Sequence, residues 1–157
     1  MEFKNINQEN RKQVNDFIIT QWYSTNIVVR GEIVDASVLD GFVVYEEDEI
    51  IGLITYRFIK QECEIMSLDS LKENQGIGTA MINKVIEIAR MNNCDNLKLI
   101  TTNDNIHAIC FYQKRGFDMT HLYHNALDVS RKLKPEIPEV GFHDIPLKHE
   151  IEFEMKL

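Results

Sequence analysis

Two short stretches carry residue types at spacings that could do chemistry. The first, NQGIGTAM (74–81), sets Gly76 and Gly78 where an amphipathic run begins. Glycines there let the backbone turn with positive φ and approach a ligand with no Cβ in the way. The first amides of a helix, unpaired within it and at the positive end of its dipole, suit a phosphate or pyrophosphate. The second stretch, NDNIHAICFYQKRGF (103–117), spaces Asn105, Ala108, Phe111, Tyr112, Lys114, Gly116 and Phe117 along a helix that leads into a strand. Asn105 also stands where a side chain would cap that helix.

Of two familiar phosphate loops, one fails on the residues and the other fits them poorly. A nucleoside-triphosphate loop needs lysine and then Ser/Thr after its second glycine, and here Thr79 and Ala80 follow. A dinucleotide fingerprint needs Gly or Ala at 81, which is Met81, and the strands before the loop read as antiparallel hairpins. A tight turn that merely starts a helix remains the plain alternative for the glycines taken alone.

The elements that must position these residues follow from periodicity. MEFKNI reads as a strand, and Val14, Phe17, Ile18 and Trp22 form a helical stripe. The segment 24–41 mixes β-branched residues with Gly31 and reads as a loop with a short helix, placed where it could cover a site. Residues 42–45 and 50–59 are strands separated by a four-residue acidic turn, and 63–68 is a third strand. After the glycine loop and its helix come a strand (96–102), a helix closed by Gly116, a strand (117–124), a short helix and a proline-punctuated connection. The end alternates, with Ile151, Phe153 and Met155 on one face and acids on the other. That order permits a parallel βαβ crossover.

A chain of 157 residues fits one domain, 1–157, and 44% hydrophobic with 27% charged residues is ordinary for a globular protein. The net charge of −8 is spread along the chain, which argues against nucleic acid and suits a cationic amine better. Cys63, Cys94 and Cys110 are odd in number, lack CxxC spacing and read as small core residues in a reducing compartment. No run approaches the about 18 apolar residues of a membrane span, no leader is visible, and no His/Asp/Glu cluster has metal-ligand spacing. The expectation is a cytoplasmic protein with no membrane partner and no metal.

Taken together, the two motifs resemble those of the GNAT acetyltransferase superfamily, and the order of elements resembles it along nearly the whole chain. The resemblance implies an α/β (α+β) fold, a central mixed, mostly antiparallel sheet flanked by helices, with a splayed cofactor cleft. It implies acetyl-CoA as cosubstrate and direct transfer of its acetyl group to a primary amine of a small molecule, peptide or protein in a ternary complex. Gln75, Gly76, Ile77, Gly78, Thr79 and Ala80 would cradle the pyrophosphate, and the main chain at Met66 and Leu68 would hold the pantetheine and polarise the thioester carbonyl. Tyr112 would protonate the departing thiolate, Asn105 would hold the cofactor chain, and Lys114 or Arg115 would meet a phosphate. The family usually has Gln or Arg where this chain has Glu73.

The amine must lose a proton, and Glu64 is the first candidate base, with an outward-facing strand glutamate as the plain alternative. His121 and His124 have suitable intrinsic pKa values but read equally as surface histidines. Phe17, Trp22, Tyr23 and VVRGE are candidate walls of the acceptor pocket, or core. SRKLKPEIPEVGFHDIP (130–146) reads either as a rigid wall or as a surface for pairing with a second copy in a homodimer. A catalytically silent acyl-CoA sensor or interaction module is the competing function.

Overall fold

The computed structural model describes all 157 residues. In chain order the elements are β1 (Glu2–Asn5), α1 (Arg11–Trp22), β2 (Asn26–Val29), β3 (Glu32–Asp35), β4 (Asp40–Glu46), β5 (Glu49–Ile59), β6 (Glu62–Ser70), α2 (Ile77–Met91), β7 (Asn96–Thr102), α3 (Ile106–Lys114), β8 (Asp118–Tyr123), α4 (Ala126–Leu133) and β9 (Glu150–Lys156). Seven strands form a mostly antiparallel sheet in the order β1-β4-β5-β6-β7-β9-β8, and β2 with β3 makes a separate two-stranded ribbon. The chain resolves into two compact units, one of residues 1–27, 35–97 and 157, the other of 28–34 and 98–156.

The first unit is built on β4, β5 and β6. Buried β-branched and aromatic residues run almost unbroken through these strands, because both sheet faces are covered there. The acidic turn is tighter than the sequence reading had it: Glu47 and Asp48 alone span it, both at positive φ, the conformation that matches strand twist. Helix α2 buries Ile77, Met81, Ile82, Val85 and Ala89, one stripe at helical spacing. It sits close because Gly52 on β5 has no side chain: a Cβ there would lie 2.9 Å from Cγ2 of Ile77.

One irregularity breaks the β5–β6 ladder. Thr55 pairs with Ser67 and Tyr56 with Ile65, so Met66 is an extra residue with no partner on β5. Such a bulge takes one residue out of the ladder and bends the strand locally.

In the second unit, β8 and β9 pair antiparallel and α3 closes at Gly116, φ +87. The segment 24–41 differs from its reading as a loop: most of it is the β2–β3 hairpin, turning through Arg30 and Gly31 with φ of 48 and 71. Two β-branched runs around a turn with both φ positive define that hairpin, and a 3-10 turn at Ala36–Val38 supplies the short helix. Strand β9 departs from an apolar face backed by a solvated acidic one. Glu150 is buried and accepts the Arg30 N–H, while Glu152 lies 3.9 Å from the Arg30 guanidinium. The chain thus uses the acids of β9 to fasten the hairpin turn. Cysteines also divide: Cys63 and Cys94 are buried, as core residues should be, whereas Cys110 is exposed.

Gly52→Val forces branched atoms against Ile77 and Met81 at the start of α2. Overpacking of this kind costs roughly 1–3 kcal/mol, so thermal unfolding should show a lower midpoint than for the native chain.

Candidate active site

The glycine loop has one residue in the left-handed region that matters for the helix start. Gly76 has φ 73 and ψ 6, stands at the N-cap and offers no side chain to close the helix end. The first N–H to bond back is that of Ala80, to the Gly76 carbonyl at 2.9 Å. The amides of Ile77 and Gly78 precede that bond and point out of the helix end. Gly78 was expected to share the turning; it is not at positive φ but lies buried in the first helical turn. Gln75 and Gly76 are exposed, with Thr79 and Ala80 half-buried, so the loop's outer rim faces solvent. Lys72 is committed to Glu46, and Glu73 is exposed.

Strand β6, which leads into this loop, carries three carboxylates, of which Glu64 and Asp69 stand in opposite circumstances. Glu64 is 1% exposed and its Oε2 receives both Nε and Nη2 of Arg57, at 3.1 and 3.0 Å. A buried carboxylate bound by a guanidinium already has its partner and is screened from an incoming amine. Asp69 is half-buried, and its Oδ2 accepts one hydrogen bond, from the indole N–H of Trp22 at 2.9 Å. Burial raises its pKa from 3.8 to about 6, against a smaller lowering by the Trp22 bond. Trp22, read from sequence as a pocket wall or core residue, is thus the residue that aims this acid. The pairing spans 47 residues. No local pattern in the sequence announces it.

In the second unit, Asn105 caps α3, its side chain accepting from Ala108 N–H at 3.1 Å. Tyr112 is 8% exposed, its ring packed edge-on to Phe117 and tilted against Phe153. Lys114 is exposed at the helix end, whereas Arg115 lies over the Phe111 ring, 3.4 Å from its centre, and donates to the Phe111 carbonyl. His121 is exposed beside Tyr123, and His124 is exposed and stacked on His149, whose Nδ1 accepts the Asn125 N–H.

The two residues before Asn105 act on the proline-rich segment. Asn103 Oδ1 accepts the N–H groups of Lys148 and His149, and its Nδ2 donates to the Pro146 carbonyl. Asp104, 3% exposed, accepts from Thr102 and from the Phe142 N–H at 3.0 Å. A Cβ on Gly141 would lie 1.9 Å from Asp104 Oδ2, so only glycine fits there. The segment itself is a small hairpin: Val140 bridges Pro146, Gly141 N–H bonds Ile145 O, and His143 and Asp144 turn it at positive φ. The sequence predicts an extended connection there, and the positive φ at His143 and Asp144 folds it back on itself instead.

Comparison with known proteins agrees with these features. The model of the acetyltransferase (GNAT) family matches residues 7–117. The Bacillus subtilis protein YxbD, itself uncharacterized, is 47% identical over 139 residues, covering 88% of this chain and 87% of that one. Among solved structures, the IAA acetyltransferase from Bacillus cereus superposes with a TM-score of 0.72 at 18% identity, covering 99% of both chains. A GNAT family acetyltransferase from Elizabethkingia anophelis, solved with acetyl-CoA bound, gives 0.68 at 20% identity over 99% of this chain and 97% of that one.

Asp69 should make stability depend on pH with a definite sign. The folded chain keeps the Asp69 proton up to about pH 6, whereas an unfolded chain releases it near 3.8. Its contribution is therefore fully present below pH 3.8 and lost as pH climbs through 6. Asp69→Asn keeps an acceptor for Trp22 without the charge. It should stabilise the protein at pH 7.5 by on the order of 2 kcal/mol, with the gain vanishing at pH 4 in denaturant titrations.

Proposed function

Since the chain belongs to the GNAT acetyltransferase family, we propose that it is an N-acetyltransferase, its 157 residues working as one domain on a primary amine of a small molecule, peptide or protein. The observation that carries this reading is the pair of features bracketing the end of β6, the bulge at Met66 and the uncapped helix start at Gly76. Both leave main-chain groups turned away from their own element, which is what a pantetheine amide chain and a pyrophosphate require.

The substrate acetyl-CoA supplies an activated acetyl group as a thioester. The amides from Gln75 to Ala80 would bind its pyrophosphate, and the main chain at Met66 and Leu68 would run beside the pantetheine. Asn105 combines capping of α3 with a hold on the cofactor chain, and exposed Lys114 is available to a phosphate. Tyr112, fixed by Phe117 and Phe153, acts as the proton donor to the leaving sulfur; a phenol with a pKa of about 10 keeps its proton at neutral pH. Glu64 would serve as base only by leaving Arg57. Three thiols without disulfides agree with a cytoplasmic setting, and no helix is long and apolar enough to cross a membrane.

That pairing of Glu64 is also the observation favouring the second reading, a silent acyl-CoA sensor. Calorimetry with CoA, followed by a thiol-release screen against polyamines, amino acids, aminoglycosides and peptides, separates the two. Binding with release is expected; binding without release would make the chain a sensor. Tyr112→Phe should lower kcat by about 100-fold or more while changing CoA affinity little. Equal losses in both would reassign Tyr112 to packing.

A further inference from the structure

We propose that Asp69 is the carboxylate that receives the acceptor's ammonium group and takes its proton, a role that rests on the acetyltransferase reading. The geometry begins with the strand. Asp69 follows Leu68 on β6 and pairs across with Leu53 of β5, so the two side chains share a face. The preceding β5 residue, Gly52, faces Ile77 and Met81 of α2. Asp69 is therefore on the opposite face, where Trp22 of α1 reaches it.

The surroundings supply no countercharge. Trp22 gives a neutral donor, Leu53 is apolar, and the Ser67 hydroxyl on the same face is bound to Thr55. Of the charged groups on α1, β5 and β6, Arg11 holds the Leu39 carbonyl, Lys12 pairs with Asp16, and Arg57 pairs with Glu64. Glu49 and Glu62 begin their strands. None of them contributes to the shift at Asp69. A half-buried carboxylate without a cation is a liability that asparagine would remove while keeping the Trp22 bond. A cation arriving from outside is what this acid lacks, and perturbed acids of this kind mark functional positions.

Position and chemistry then agree. Asp69 lies on the strand whose main chain would hold the pantetheine, one residue past Leu68 and seven before Gly76. Trp22 engages Oδ2 only, leaving Oδ1 outside that bond. With a pKa of about 6 it is ionised at neutral pH and more basic than an ordinary aspartate. In the step, the ammonium gives one proton to Asp69 and becomes an amine. Its lone pair forms the C–N bond as the thioester C–S bond breaks; the second nitrogen proton ends on the departing sulfur, and Asp69 returns its proton to water. The sum is ammonium plus acetyl thioester giving amide, thiol and one proton, with no oxidant or reductant.

The test follows thiol release from acetyl-CoA between pH 5 and 9.5, using a fixed mixture of spermidine, kanamycin, amino acids and a peptide with a free N-terminus. The native protein should lose kcat/KM on the acid side with a midpoint near 6. Asp69→Asn should lose about 100-fold or more together with that limb, while CoA affinity by calorimetry stays within about threefold. Trp22→Phe removes a donor to the carboxylate and should move the limb to higher pH. A limb that survives in Asp69→Asn, or that Glu64→Gln removes instead, overturns the proposal. Independently of turnover, a ¹³C-carboxyl titration of the CoA-bound protein should show the Asp69 midpoint falling when n-butylammonium is added. An unmoved midpoint overturns the role of Asp69 even if transfer occurs, whereas absence of CoA binding would overturn the acetyltransferase reading itself.

Discussion

A helix must leave its first amides without partners inside itself, and in this protein the first turn of α2 gives them no side-chain cap. The rest of the first unit is arranged around that requirement. Gly76 turns the chain at φ 73 without a Cβ, Gly52 lets Ile77 and Met81 pack down on β5, and the stripe through Ala89 holds the helix in place. A polar end held so firmly by an apolar body keeps its donors where they are, because they cannot relax away from the position they define. The bulge at Met66 adds a second such place on β6, where one residue is lifted out of its pairing with β5.

Much of this was legible in the sequence, for local reasons. Helices α2 and α3, their glycine and asparagine ends, and the strands β4 to β6 follow from periodicity and from residues within a few positions of each other. Asn105 was read as a cap and is one. The β2–β3 hairpin was missed because Arg30 is an uncommon first residue for a turn with two positive φ values; its stability comes from Glu150, 120 residues away. The same distance hides the acids of β9 as partners and not as solvated charges. Trp22 with Asp69 and Asp104 with Phe142, 47 and 38 residues apart, have no local pattern at all.

Glu64 and Asp69 on β6 show how far residue type falls short of chemistry. Glu64 and Asp69 share a strand, yet one is neutralised by Arg57 and the other has only an indole donor. What separates them is the residue opposite on β5, arginine in one case and leucine in the other. Cross-strand register, which a single sequence does not print, decides which acid finds a cation opposite it.

The small hairpin before β9 is fastened almost wholly through its main chain. Asn103 and Asp104 bind backbone groups of Phe142, Pro146, Lys148 and His149, and Arg131 donates to the Pro138 and Leu147 carbonyls. Its tip side chains, among them Phe142, His143 and Asp144, are exposed and carry little of that attachment. The loop is in effect a replaceable cassette. Its tip can be rewritten residue by residue without unfolding what holds it, provided Gly141 keeps the space that Asp104 occupies and positions 143 and 144 take residues that tolerate positive φ. A lineage of such proteins could therefore change what this surface presents while leaving the fold, and the strand that leads to Asn105, untouched.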